Sequence, residues 1–151
     1  MIAVDSNLLI YAHRSRVPEH TASRQALQRA AEHPAGWGIP LPCLAEFWTV
    51  VTHPRASGRP STPAEAAGFL RNLTRSGQAA IWQPAPGFST RLLQAAEQAD
   101  VSGVRIFDLQ IALIASEAGA QEIWTHDKNF RPLPGLSLHD PIAKEGSDPD
   151  T

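Results

Sequence analysis

The chain opens on four residues, Met-Ile-Ala-Val, that read as a short buried strand. An apolar run at residues 8–12 follows almost at once with helical character. Asp5, Ser6 and Asn7 lie between the two, and Asp5 is the only charged side chain before Arg14. A strand that ends in a carboxylate and turns straight into a helix is typical of the first βα unit of an open α/β sheet. Ligands gather beyond the carboxyl ends of the strands in such sheets. The same aspartate would also serve as a plain N-cap for the helix.

Strand-like and helix-like stretches then alternate. A helix is expected over 19–32, with Ala22, Ala26, Leu27 and Ala30 on its apolar face and Pro34-Ala-Gly36 as its stop. Residues 37–39 read as a strand and 41–52 as a helix. Glu46 is the single charge between Glu32 and Arg55, set among Leu44, Phe47, Trp48, Val50 and Val51, which leave little room for a solvated face. The alternative place for Glu46 is an exposed edge. Residues 53–61 form a loop with Arg55 and Arg59. Thr62-Pro-Ala-Glu65 then starts a helix with a threonine cap, a first-turn proline and a capping-box glutamate.

A strand at 79–82 and a helix at 89–99 follow. Residues 104–108 lead into a helix over 109–116 that is apolar nearly all round and so expected to be buried. Asp108, its only charge, falls at the first turn, where the helix dipole favours an anion and where a cap is the plainer role. Residues 122–125 read as a strand that runs into Thr125-His126-Asp127. Asp127 either stands at the strand end as a second rim carboxylate or makes a turn with Lys128 and Asn129. A last strand at 136–139 completes one domain over 1–142, and the acidic stretch 143–151 reads as a disordered tail.

Composition narrows the compartment and the chemistry. The 151 residues, 42% hydrophobic and 19% charged, describe an ordinary globular domain. No apolar run approaches the roughly 20 residues that span a bilayer. The apolar start carries Asp5 and lacks a basic leader, which points to the cytoplasm. The single cysteine, Cys43, excludes an internal disulfide and a Cys-built zinc site. Net charge is −2, yet residues 1–139 hold 12 bases against 11 acids, and 11 of the 13 bases are arginine. Cation binding at some of those acids would leave the remaining surface positive. The arginines of 13–16 and 53–59, namely Arg14, Arg16, Arg55 and Arg59, are the candidates for contact with a phosphate backbone, with a solvated face as the ordinary alternative.

Asp5, Glu46, Asp108 and Asp127 share one property: each lies beside a short strand or in an apolar helix. In a parallel sheet Asp5 and Asp127 would follow the same ends of their strands, and returning helices would bring Glu46 and Asp108 to that rim. Clustered carboxylates repel one another unless a cation joins them. All-oxygen ligands suit Mg2+ or Mn2+, which activate water and neutralise charge at a phosphodiester.

The segments VDSNLLIYA, LAEF around Glu46, IFDLQIALIA around Asp108 and WTHDKNF around Asp127 run across residues 1–130. In this order and spacing the set resembles a PIN-domain ribonuclease, more narrowly a VapC-type toxin of a toxin–antitoxin pair. The resemblance implies a three-layer α/β/α sandwich with a mainly parallel central sheet. It also implies that Asp5, Glu46, Asp108 and Asp127 hold Mg2+ or Mn2+, and that metal-bound water cuts RNA endonucleolytically. Asn7 and Thr125 match positions that support the acids. An antitoxin partner, with room for a homodimer, follows from the same resemblance.

Other chemistries fit less well. A phosphatase with an aspartyl nucleophile would want a second aspartate where this chain has Asn7, and a phospho-receiver domain would want paired acids after the first strand. An inactive nuclease fold kept as an RNA-binding module is the alternative from another class. The six histidines show no paired ligand spacing; His126 reads as pointing away from the rim, and Cys43 as helix packing.

Overall fold

The computed structural model describes residues 1–56 and 58–144 of the chain. Most of the acidic stretch at 143–151 therefore lies outside the described residues. The first strand, β1 (Ile2–Val4), sits at the centre of the sheet and is buried along its whole length. The helices α1 (Ser6–His13) and α2 (His20–Ala31) return the chain to β2 (Trp37–Pro40). From there α3 (Leu41–Val51) and α4 (Pro63–Arg75) lead to β3 (Ala80–Trp82). Helices α5 (Phe88–Gln98) and α6 (Arg105–Glu117) cross to β4 (Glu122–Trp124), and β5 (Ser137–His139) closes the far edge.

The sheet order is β3-β2-β1-β4-β5 and every pairing is parallel. The chain thus walks outward from β1 through β2 to β3, then jumps back to β4 on the other side. Right-handed crossovers put the helices of the two walks on opposite faces, which makes the three-layer α/β/α sandwich. They also place a topological switch point between β1 and β4, where a crevice opens beyond the strand ends. Asp5 and Thr125, the residues that immediately follow these two strands, stand at that crevice.

Packing around α1 fixes its far end. The ring of Phe47 stacks on Phe69 at 5.2 Å, and His13 meets both rings edge-on at 5.4 and 4.9 Å. His13 Nε2 also shares a hydrogen bond with Ser61 Oγ at 2.8 Å, so α1 is pinned to α3 and to the approach to α4. The capping box on α4 is complete: Thr62 Oγ1 accepts from the Glu65 amide, and the Glu65 carboxylate accepts from the Thr62 amide.

Four expectations change. Helix α6 begins at Arg105, a turn before the predicted start, behind Gly103 at φ 60°. Asp108 is therefore its fourth residue, with Val104 at the cap position, and the capping role for Asp108 is removed. Phe107 of that helix is 56% exposed, so α6 is not buried all round. On α3, Leu41 and Val50 are exposed, which leaves the helix a solvent face after all. On α2, Ser23 is buried along with Ala26, Leu27 and Ala30, while Ala22 is only half-buried.

Gly38 in β2 is required by close approach. A Cβ built there would stand 2.3 Å from the indole of Trp82 on the neighbouring strand. Gly38→Ala forces that ring off β2 and should lower stability by about 1–3 kcal/mol, as overpacking does. An unchanged urea midpoint for the variant would show that the ring moves freely.

Candidate active site

Asp5 is buried, and every group that hydrogen-bonds it is uncharged. Its Oδ1 accepts from the Ser6 amide at 2.7 Å and lies 3.5 Å from the Cys43 thiol. Its Oδ2 accepts from Thr125 Oγ1 at 2.8 Å and from Asn7 Nδ2 at 3.3 Å. The aspartate is thus the N-cap of α1, as the plain reading holds, and at the same time the centre of a wider network. Its backbone amide continues the β1–β4 pairing by donating to the Trp124 carbonyl at 3.0 Å.

Thr125 and Asn7 tie the two strand ends together. The Thr125 hydroxyl, having donated to Asp5, accepts from Asn7 Nδ2 at 2.9 Å and from the Asp127 amide at 3.1 Å. Asn7 Oδ1 accepts from the His126 amide at 3.0 Å. Asp127 is exposed and spends one oxygen on a turn, accepting from the Asn129 amide at 2.9 Å. Rim carboxylate and turn former are therefore the same residue. Glu46 arrives from α3 and is half-buried, off the exposed edge, with its Oε2 accepting from Ser6 Oγ at 2.7 Å. An apolar groove of about 430 Å³ between α1, α3 and α6 opens beside it, lined by Ile10, Pro42, Val50 and Phe107.

Electrostatics draw the four acids into one group. Burial pushes the Asp5 carboxyl upward, against the hydrogen bonds it accepts, and the charge of Asp127 adds to the rise. Glu46 is raised by burial and then by Asp5 and Asp108. Asp108 is raised by burial and then by Asp5 and Asp127, with Arg105 and the Arg131 amide pulling the other way. Asp5, Glu46 and Asp108 each feel at least one other acid, and Arg105 opposes the rise at Asp108. Such a set resists carrying its full negative charge unless a cation joins it. Among the described residues, no three His, Cys, Asp or Glu side chains are drawn in tightly enough to enclose an ion by themselves.

Residues 2–136 match the PIN domain family. The chain belongs to that family. Among curated relatives, ribonuclease VapC43 of Mycobacterium tuberculosis is 31% identical over 142 residues, covering 94% of this chain and 96% of the relative. Two solved structures share the PIN fold. The sarcin-ricin-loop-cleaving toxin VapC20 of M. tuberculosis superposes with a TM-score of 0.62 at 14% identity, covering 86% of this chain and 92% of that one. VapBC2 from Rickettsia felis, solved on a DNA fragment from its promoter, gives 0.62 at 20% identity with 92% and 98% covered.

In this PIN domain the structure joins residues that the sequence left unconnected. Ser6 bridges Asp5 to Glu46, and Cys43, three residues before Glu46 on α3, faces Asp5 from complete burial. Burial, then Asp5 and Glu46, push that thiol far up, so it stays protonated and donates. Its place in helix packing is as expected; its contact with the aspartate is new. His126 turns its Nδ1 to Asp140 at 2.8 Å.

Of the candidate RNA-contact arginines, Arg14, Arg16 and Arg59 line one cavity of about 600 Å³ at the far end of α1. Arg55 is not part of it. Arg14 is partly committed, since its guanidinium donates to the carbonyls of Arg59 at 2.7 Å and Val51 at 2.8 Å. Arg59 pairs with Glu65 at 3.0 Å. No helix among the described residues is long and apolar enough to cross a membrane.

Proposed function

We propose that the chain is a Mg2+- or Mn2+-dependent endoribonuclease, the toxin of a type II toxin–antitoxin pair. The observation that carries the reading is the rim at the β1–β4 switch point, where burial and then neighbouring acids, Asp127 among them, push the carboxyls of Asp5, Glu46 and Asp108 upward. The relatives' ribonuclease names and their toxin–antitoxin setting support it.

The donor set fits a hard divalent ion, because it is all oxygen. Its looseness suits Mg2+, which keeps several waters when few carboxylates hold it. Asp5, Glu46, Asp108 and Asp127 would hold the ion, which supplies Lewis-acid charge stabilisation and water activation at a phosphodiester. The chain's own part is orientation. Thr125 and Asn7 fix the plane of the Asp5 carboxylate, and Ser6 ties Glu46 to the first turn of α1. Burial of Asp5 keeps solvent from most of its side chain.

Purified protein should cut single-stranded RNA internally, lose that activity on chelation and regain it with Mg2+ or Mn2+. Cleavage that survives exhaustive chelation would sink the metal reading. Binding of RNA without cleavage at any metal concentration would make the chain a binding module.

A further inference from the structure

Helix α1 and its C-cap residue, Arg14, carry a partly exposed line that leads away from the acids. Asn7, Tyr11 and Arg14 stand four and then three residues apart, so they follow one another along a single face. Each is half-buried, while Leu8, Leu9 and Ala12 between them are buried. The line starts at the acids, where Asn7 touches Asp5 and Thr125. It ends at the arginine-lined cavity that Arg14 shares with Arg16 and Arg59. At 1.5 Å per residue the two ends are about 10 Å apart.

Tyr11 stands between them. Its ring meets His126 at 6.1 Å with the planes 78° apart. His126 is itself held from two sides, by Asp140 at Nδ1 and by Asn7 at its backbone amide. The tyrosine is thus braced against the residue that precedes Asp127. His20 takes its backbone carbonyl at 2.9 Å, and the phenol lies outside the described hydrogen-bond network. Burial, Glu19 and Asp127 together keep that phenol un-ionised.

We infer that single-stranded RNA runs lengthwise over α1, with a nucleobase beside the cut stacked on Tyr11 and the backbone beyond it led to the arginine-lined cavity. The inference rests on the ribonuclease reading and adds the path of the substrate. An acid cluster repels the phosphates on either side of the one it cleaves. A neutral aromatic surface beside it gives a base somewhere to bind without adding charge, and the arginines restore attraction where the acids end. Stacking suits an unpaired strand, because bases inside a duplex have no free face. Arg16 is the cavity arginine best placed to take a phosphate, since Arg14 holds two carbonyls and Arg59 pairs with Glu65.

The test uses a short single-stranded oligoribonucleotide that the full-length protein cuts once, and a set in which one nucleotide at a time is abasic. With wild type, one abasic position next to the cut should raise KM by roughly 5- to 150-fold, the range spanned by loss of one base–aromatic stack. Tyr11→Leu should weaken the intact oligonucleotide by a similar factor and abolish the position dependence, and Tyr11→Phe should restore both. Arg16→Gln should reduce the salt slope of log KM by about one. Melting curves with and without Mg2+ should be alike for wild type and Tyr11→Leu. A flat abasic profile in wild type overturns the path, as does Tyr11→Leu keeping the abasic penalty or Tyr11→Phe losing as much as Tyr11→Leu. An unchanged salt slope in Arg16→Gln overturns the cavity as the strand's exit. Failure of wild type to cut RNA with any divalent metal overturns the ribonuclease reading and this path with it.

Discussion

Asp108→Asn should lower RNA cleavage by ~10²-fold or more, beyond the 10- to 100-fold that loss of an outer hydrogen-bonding partner costs. The metal-free variant should nonetheless be at least as stable as wild type at neutral pH. Asp108 is the fourth residue of α6, so no cap is lost on substitution. What is lost is a charge–dipole attraction of roughly 0.3–1 kcal/mol. What is gained is relief from the burial and the like charges of Asp5 and Asp127 that push this carboxyl up. A carboxyl raised in the folded state stabilises fully below its unfolded value, and that contribution disappears as pH rises through the folded value. The variant's advantage should therefore grow from about pH 4 toward neutrality. Metal reverses the comparison, since an ion that binds only the native state stabilises it by RT ln(1+[L]/Kd). Melting curves with and without Mg2+ would show a large gain for wild type and a smaller one for the variant. A variant that cuts RNA normally and gains as much from Mg2+ would remove Asp108 from the site.

The parts of this site visible in the sequence are those that break a local pattern. Asp5 ends an apolar strand, Glu46 is the only charge in a long uncharged stretch, and Asp108 is the formal charge that opens the otherwise uncharged run 109–116. A parallel sheet then follows from the alternation of strands and helices, but the pairing of β1 with β4 that sets Asp5 and Thr125 side by side does not. The start of α6 was less legible, because Val104, Ile106 and Phe107 are residues that strands favour as well. Tertiary packing decides for helix there, and it decides the position of Asp108 with it.

Contacts between distant segments left no local trace. Ser6 reaches Glu46 across 40 positions, and a hydroxyl at the first turn of a helix has too many ordinary uses to announce that partner. Cys43 did carry a signal, lying three residues before Glu46 and so on the same side of a helix as a suspected ligand. His126 is held by Asp140, which follows β5 in a segment no spacing rule connects to the rim. The arginines show the same division. Composition marked them as a group, but only the docking of α1 against the end of α3 ties Arg14 to the Val51 carbonyl and leaves Arg55 outside the cavity.

Thr125→Val should cost about 1–3 kcal/mol although it keeps the side chain's shape, because it leaves buried polar groups without partners. The Thr125 side chain is almost wholly buried and serves three neighbours: it donates to Asp5 and accepts from Asn7 and from the Asp127 amide. Of these, the bond to Asp5 is the one that favours a charged form. Among the hydrogen bonds that restrain the rise of the Asp5 carboxyl, the one from Thr125 is the largest, so its loss lets that carboxyl rise further. Below the unfolded carboxylate value Asp5 is neutral in both proteins, and only the loss at Asn7 and the Asp127 amide remains. As pH climbs through the folded values the variant is penalised additionally, so the stability gap should widen from about pH 4 upward. Denaturant midpoints across that range would measure it, and the half-buried His13, present in both proteins, cancels from the difference. Metal binding should follow the same direction. The ion competes with the proton on Asp5, so Mg2+ affinity should fall by roughly 10- to 100-fold near neutrality and recover as pH is raised. A gap that stays constant with pH, together with unchanged Mg2+ affinity, would reduce Thr125 to a packing residue.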